Sequence, residues 1–494
     1  MGDEMIVEWT TLLNIIVIIN AGLAIFTVFR QPRDIAATWA WLLLLVFLPI
    51  LGFFIYSFFG RRLPKKTVFP LPVTVQERLQ RTFDQQKSQL GRLDVTENPN
   101  NALINDASGM AEMFMNIDTA PLLGQNEIET FTGGKPFMEA VLKDIDQAKQ
   151  SIHIEFYTFY ADKIGQKVLD HLVAKAKAGV AVRVLYDSWG SMGTTKQFFQ
   201  PLFDAGGWAY PFLRNELNVI DMRANFRDHH KIITIDGTYG YIGGLNIGDQ
   251  YMGWDPKFGN WRDCSIRIHG QGVHGLQTKF LTSWNATVSE QPINPATEAE
   301  WASYYPTVST AGQAVMQIVS SGPDSSMEQI KMGYLKLIQL AKHSIKITTP
   351  YLIPDPSVLD ALKIAVKSGV QVEIVTPDMP DHPFVYRATQ YYSWQLSKLG
   401  IKVYAYNKGF MHAKTIVVDG KYVSVGSANL DYRSFELNFE ANAFVYDETL
   451  ARQMVAIFAE NIADSTLQTD DILAAQSLWL TIKQHFSRLL SPLL

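Results

Sequence analysis

His229-His230-Lys231-Ile232-Ile233-Thr234-Ile235-Asp236, followed by Gly243-Gly244-Leu245-Asn246, decides how this chain is read. The same pattern returns as His412-Ala413-Lys414-Thr415-Ile416-Val417-Val418-Asp419 and Gly426-Ser427-Ala428-Asn429. His, Lys, Asp, Gly and Asn keep identical spacing in both copies. In a strand the side chains alternate, so His229 shares a face with Lys231, and His412 shares one with Lys414. His230 points the other way and receives no role. Two imidazoles, two ammonium groups and two carboxamides suit one site that grips and cuts a phosphodiester.

The flanking sequence repeats as well. In the first half an apolar helix face (Phe137, Met138, Val141, Leu142, Ile145) precedes the strand Ser151–Tyr157. A helix over Gly165–Lys177 and a strand over Val182–Tyr186 follow. In the second half Ser325 and Glu328 resemble a capping box. It opens a helix bearing Ile330, Tyr334, Leu337 and Ile338. The strand Ser344–Thr348, a helix over Ser357–Val366 and the strand Val372–Thr376 come next. Alternating strands and helices predict an α/β fold with parallel sheet. Two similar lobes, 126–290 and 311–494, are expected to face each other across a pseudo-twofold. Residues 291–310, rich in proline, read as their connection, and 61–125 as a polar linker or tether in which Val75–Leu90 reads as a solvated helix or tether. The C-terminal stretch Asp470–Leu494 reads as an amphipathic helix, laid either on lipid or on the lobe.

Composition bounds the rest. The chain has 494 residues, of which 47% are hydrophobic and 18% charged, with a net charge of −5. That balance disfavours a nucleic-acid binder working through bulk positive charge. Cys264 is the single cysteine, so no internal disulfide forms. Leu12–Phe29 and Ile35–Phe59 carry no charge and reach membrane-spanning length. They predict a transmembrane hairpin within residues 1–60. Arg61, Arg62, Lys65 and Lys66 outnumber Arg30 and Arg33 between the runs, which favours cytoplasmic lobes behind a multi-pass anchor in the cell membrane.

Phosphodiester cleavage needs a nucleophile and an acid for the leaving alkoxide. One histidine can attack phosphorus and the other can shuttle the proton. His229, Lys231 and Asp236, with His412, Lys414 and Asp419, form the candidate catalytic set. Within it Asp236 and Asp419 end their strands and read as structural. Asn246 and Asn429 are placed to donate to phosphoryl oxygens. Each imidazole needs a partner to fix its tautomer. Asp263 and Glu440 lie 34 and 28 residues after the histidines of their own halves and are taken as those partners. The sequence offers no convincing metal-ligand cluster and no P-loop, so neither metal nor cofactor is expected.

At these residues the chain resembles the phospholipase D superfamily, and within it the bacterial cardiolipin synthases. The resemblance spans nearly the whole chain: the apolar hairpin with Phe59-Gly60-Arg61, both motifs, Pro350-Tyr351-Leu352-Ile353-Pro354-Asp355, and Asp431-Tyr432-Arg433-Ser434-Phe435-Glu436-Leu437-Asn438. It implies condensation of two phosphatidylglycerol molecules into cardiolipin and glycerol, without metal, by an integral membrane protein that takes no nucleic acid. It also implies His229 as nucleophile and His412 as acid/base. Gly244 stands where the family commonly has serine, so the substrate contact assigned to Ser427 lacks its first-half counterpart. A membrane-anchored phospholipase D that hydrolyses its substrate is the alternative. Tyr157, Tyr351, Tyr404, Tyr406 and Phe410 either screen the site from water or belong to the core.

Overall fold

The computed structural model describes residues 35–56, 60, 71–213, 225–469, 471–472 and 475–493, with scattered positions between 11 and 29. The chain forms two compact units, one of residues 1–64 with 215–226, the other of 65–214 with 227–494.

In the smaller unit two helices follow one another, Ile35–Phe47 and Pro49–Ile55. Pro49 lacks an N–H and takes the first position of the second helix, so the backbone breaks at Leu48 (φ −131°, ψ 64°). Gly52 permits a tight bend there, because a Cβ would meet the Leu44 carbonyl oxygen at 2.6 Å. Val28, Leu42, Leu45 and Tyr56 bury one another. The expected single span over Ile35–Phe59 is thus divided. Among the described residues no helix is long and apolar enough to cross a membrane. The other expected span, Leu12–Phe29, lies largely outside the described residues.

In the larger unit each half builds a sheet on the same seven-strand plan, and the second adds Ser465–Leu467 antiparallel at the outer edge of Lys402–Tyr406. The first runs Trp208–Pro211, Ala181–Tyr186, Ser151–Phe156, Lys231–Ile235, Tyr239–Gly243, Trp261–His269, Leu123–Gly133. The second repeats it: Lys402–Tyr406, Gln371–Pro377, Ser344–Thr348, Thr415–Val418, Tyr422–Gly426, Asn438–Tyr446, Ala314–Ser321. Only the first three strands of each are parallel; the remaining pairings are antiparallel, where parallel sheet was expected. The cause lies at the end of each motif strand. Asp236-Gly237 and Asp419-Gly420 all have φ between 52° and 64°. Such a pair turns the chain back on itself as a hairpin.

The halves are joined by backbone. Ala314–Ser321 pairs with Asn438–Tyr446 on one side and with Leu123–Gly133 on the other. Each sheet therefore has an outer core under its helices and shares a middle core with its twin. Ile233, Ile235 and Tyr241 face the first outer core, with Val141 and Leu169. Ile232, Ile242 and Ile266 face the shared core, where they meet Met411, Val417 and Val425 from the other half. The motif strands are buried on both faces, which holds the catalytic side chains at their ends in fixed places.

Two linking segments differ from the sequence reading. The tether holds helices Val73–Gln89, Asn101–Asp106 and Ser108–Ile117. Leu103, Ile104, Met110, Ala111 and Phe114 from it lie in the outer core of the second half, because together they form an apolar face despite the polar composition around them. The connection holds the helix Glu298–Tyr304, closed by a capping box of Thr297 and Glu300. The capping box expected at Ser325 and Glu328 does not form. Glu328 instead precedes the helix Gln329–Leu340 in a left-handed conformation with no side-chain cap.

Candidate active site

The two motifs meet at one site, and they do so symmetrically. The His229 N–H donates to the Phe439 carbonyl at 2.8 Å, and the His412 N–H donates to the Arg262 carbonyl at 2.7 Å. Each carbonyl precedes the carboxylate that the histidine uses. His229 Nδ1 lies 2.8 Å from Glu440 Oε2, and His412 Nδ1 lies 2.7 Å from Asp263 Oδ2. The pairing is crossed. Asp263 and Glu440 do orient histidines, but each serves the other half's, where the chain order suggested its own. The reason is the short parallel contacts of Phe410–Met411 on Trp261–Arg262 and of Arg227–Asp228 on Asn438–Phe439, which carry each motif across to the opposite sheet.

With Nδ1–H donated to a carboxylate, each imidazole keeps its Nε2 lone pair free. Burial holds both histidines neutral, pushing each down to about 4 against the opposing pull of its carboxylate. Burial likewise lowers Lys231 to about 7 and Lys414 to about 8. Each ammonium donates to its own histidine's carbonyl, Lys231 Nζ to His229 O at 2.8 Å and Lys414 Nζ to His412 O at 2.5 Å. Lys231 also feels the charge of Lys414, as expected of two cations sharing one cleft.

The two carboxylates are not equivalent. Glu440 also accepts from Ser427 Oγ at 2.5 Å, Ser434 Oγ at 2.8 Å and Asn438 Nδ2 at 3.3 Å. Burial opposes its ionisation, yet His229, Lys231 and these donors hold it at about 2. Asp263 accepts from the Cys264 N–H at 2.7 Å and, weakly, from Trp261 Nε1 at 3.4 Å. Gly244 explains the difference. A Cβ there would lie 2.1 Å from Asp263 Oδ1, so the serine of the second copy has no room in the first. Ser427 Oγ accordingly braces Glu440 at the place where a substrate contact was expected of it.

Asp236 and Asp419 are structural. Asp236 accepts from the N–H groups of Lys149, Gln150 and Ser151 at 2.7 to 2.9 Å. Asp419 accepts from those of Lys342, His343 and Ser344 at 2.7 to 2.8 Å. Both clamp the start of a neighbouring strand. Asn246 is buried and its Oδ1 accepts from the Thr158 N–H at 3.2 Å. Asn429 is buried too, and its Oδ1 has no hydrogen-bond partner.

Aromatic rings wall the site. Tyr157 meets His229 edge-on at 4.9 Å, and Trp261 and Phe410 lie 5.0 and 5.9 Å from His412. Tyr351 donates to Asp381 and is close enough to Tyr157 to feel its charge. Tyr404 donates to Glu373, and Tyr406 accepts from Asn260 in the shared core, so neither lines the site.

His230 does more than the sequence suggested. Its Nδ1 sits 3.0 Å from Glu155 Oε1 and 2.9 Å from Asp228 Oδ1, all three buried. Burial pulls its proton off, but Glu155 and the hydrogen bonds to both carboxylates win, so it stays charged up to about pH 10. Among the described residues this trio is the one group with a metal-ligand arrangement. The imidazolium already supplies the cation the two carboxylates need. Arg227 and Arg433 also act on Tyr157 electrostatically, which adds positive charge beside the face of His229. Their sequence signal was a basic residue one position before Asp228 and another two positions after Asp431, and the spacing argument passed over both.

Comparison with known proteins matches this geometry. The family model described as cardiolipin synthase, PLD-like domain, covers residues 141–259 and 334–462. One described as phospholipase D-nuclease N-terminal covers 13–61. The major cardiolipin synthase of Bacillus subtilis is 45% identical over 484 residues, 98% of this chain and 99% of that protein. The chain belongs to the cardiolipin synthase family. A cardiolipin synthase of Listeria monocytogenes is 43% identical at the same coverage, and one of Staphylococcus aureus 40% identical over 97% of this chain and 95% of that one. The solved phosphatidylserine synthase of Haemophilus influenzae is 17% identical with a TM-score of 0.59, over 78% of this chain and all of that one. It shares the two-lobed α/β fold.

Proposed function

We propose that this chain is a phosphatidyltransferase that condenses two phosphatidylglycerol molecules into cardiolipin and glycerol. The observation that carries the reading is the pair of neutral, carboxylate-backed imidazoles flanked by two lysines in one buried site. A phosphodiester anion entering between the lysines restores their charge and raises the affinity of the histidines for protons. His229 Nε2 attacks the donor phosphorus. The bond to the glycerol oxygen breaks, and the protonated His412 Nε2 gives its proton to the leaving glycerol. The phosphatidyl group is then held on His229 by an N–P bond. His412 next takes the proton from a free glycerol hydroxyl of the second phosphatidylglycerol. That oxygen attacks phosphorus, the N–P bond breaks, and cardiolipin leaves with both histidines reset.

The unequal carboxylates favour this assignment. The nucleophile carries a full positive charge while phosphorylated, and Glu440, with three further donors, is the firmer anion. The acid/base must gain and lose a proton each cycle, and the less braced Asp263 suits it. Asn246, Asn429, Arg227 and Arg433 are positioned to meet the phosphate and the polar head group. Tyr157, Trp261 and Phe410 exclude water, which favours an alcohol acceptor.

The reading extends to the membrane. Residues 1–60 serve as a bilayer hairpin, with lobes 126–290 and 311–494 on the side of Arg61, Arg62, Lys65 and Lys66, the cytoplasm. Residues 61–125 and 291–310 link them. Protection of the lobes from protease in inside-out vesicles would contradict that orientation. The activity is tested with the purified chain in vesicles of phosphatidylglycerol alone. Cardiolipin with equimolar glycerol is expected, whereas phosphatidic acid as the main product would establish hydrolysis instead.

A further inference from the structure

The C-terminal helix Leu478–Leu489 is built the wrong way round for a globular protein. Ser477 caps it by accepting from the Leu480 N–H at 3.2 Å. A surface helix normally buries its apolar stripe and shows its polar side to water. Here the buried residues are Gln484 and Ser487, followed by Ser491. Gln484 donates to Gln390, and Ser491 pairs with Tyr392 at 3.3 Å. The apolar residues point out. Leu478, Trp479 and Leu489 are 77%, 64% and 71% exposed, and Ile482 and Phe486 about half. They recur at helical spacing along one face, and exposed Phe384 extends the face through its contact with Phe486.

We propose that this face is a docking surface that lays the site's entrance on an anionic lipid bilayer. The helix carries Lys483 and Arg488 and no carboxylate, as suits negative head groups. Trp479 has the amphipathic ring of an interfacial anchor, with Lys483 above it at 5.2 Å. Location points the same way. The helix packs on Pro383–Ser397, which begins two residues after Asp381. Asp381 accepts from Tyr351 and lies within electrostatic range of Lys414, the lysine of the second motif. A lipid leaving the bilayer at Phe384 and Phe486 thus starts one helix away from a residue that acts on the catalytic lysine. The inference rests on the bilayer-lipid reading of the substrate and adds where the bilayer touches.

The single native cysteine, Cys264, is buried, so a Phe486→Cys variant of the full chain takes one environment-sensitive fluorophore. In phosphatidylglycerol vesicles its emission is expected to shift blue. It should be quenched by lipid-borne nitroxides and spared by aqueous iodide. Quenching by iodide alone overturns the proposal, as does a disulfide-linked dimer as the main product, which would mean that a second copy covers the face. This readout needs no turnover, so it stands or falls apart from the proposed reaction. Ile482→Glu with Phe486→Glu should slow cardiolipin formation from bilayer lipid at least tenfold. The same pair should leave the rate on short-chain, monomeric phosphatidylglycerol unchanged. Equal losses on both substrates would assign the helix to fold support and overturn the proposal.

Discussion

His229 and Glu440 come from opposite halves of the chain, yet Nδ1 and Oε2 lie 2.8 Å apart in a buried contact. Asp263 and His412 mirror them at 2.7 Å. Swapped carboxylates give each half control over the other's imidazole.

Function should therefore fail crosswise. Glu440→Gln turns the His229 imidazole toward the wrong tautomer and is expected to cut phosphatidyl capture on the order of 10³- to 10⁴-fold. It should reproduce the defect of His229→Ala. Asp263→Asn should instead slow both steps, since His412 is the acid of capture and the base of release, yet still let label build up on His229, as His412→Ala does. Labelled-lipid trapping followed by denaturing electrophoresis separates the two. Label accumulating on Glu440→Gln and absent from Asp263→Asn would reverse the roles.

The Gly244 corner has no slack. Gly244→Ser forces Asp263 away from His412 and should lower turnover about 100-fold, the cost of a displacement near 1 Å. Ser427→Ala removes one donor from Glu440 and should cost roughly 10-fold, as for a hydrogen bond to a charged group. Steady-state rates on phosphatidylglycerol vesicles, with thermal melts as a folding control, give both values.

Alkaline solution should weaken substrate capture before it harms the chemistry. Lys231 and Lys414 in the empty site lose their protons near pH 7 and 8, because burial disfavours their charge. The kcat/KM profile is expected to fall above that window, while kcat, read with phosphate bound, should fall at higher pH. Coincident limbs for the two parameters would contradict the lysine assignment.

Acid should destabilise the empty protein in two stages. Below about pH 6.5 an unfolded chain protonates His229 and His412, while the folded one resists until about 4. The unfolded state binds more protons, so stability falls as pH drops through that interval. Glu440, held at about 2, contributes stability above pH 4.5 that is lost between 4.5 and 2. Melting temperatures of His229→Gln and His412→Gln should decline less steeply between pH 6.5 and 4 than the parent's.

Asp236→Ala and Asp419→Ala should each cost about 1–3 kcal/mol by stranding backbone donors, with kcat per folded molecule unchanged. Asn at either place should cost less, since it keeps an acceptor and tolerates the left-handed backbone.

Much of the site was legible because spacing survived duplication. Identical intervals from His229 to Asn246 and from His412 to Asn429 declared a repeat, and strand alternation put each histidine beside its lysine. What stayed hidden depended on contacts far apart in sequence. Nothing in the chain order says that Asp263 crosses to His412, since two short bridging strands decide it. The antiparallel half of each sheet was announced by Asp236-Gly237 and Asp419-Gly420, a hairpin signal masked by the helix–strand rhythm before it. His230 looked idle because only its own strand was considered, while Glu155 belongs to a strand 75 residues earlier. Leu103 to Phe114 read as tether because an apolar face amid polar neighbours shows its purpose only once the second lobe is there to receive it.

Strand Ala314–Ser321 is hydrogen-bonded into both halves, so they do not part like jaws. Any widening of the gap between the two imidazoles would have to break ladder hydrogen bonds of that shared strand, so its pairing sets the spacing of the catalytic groups.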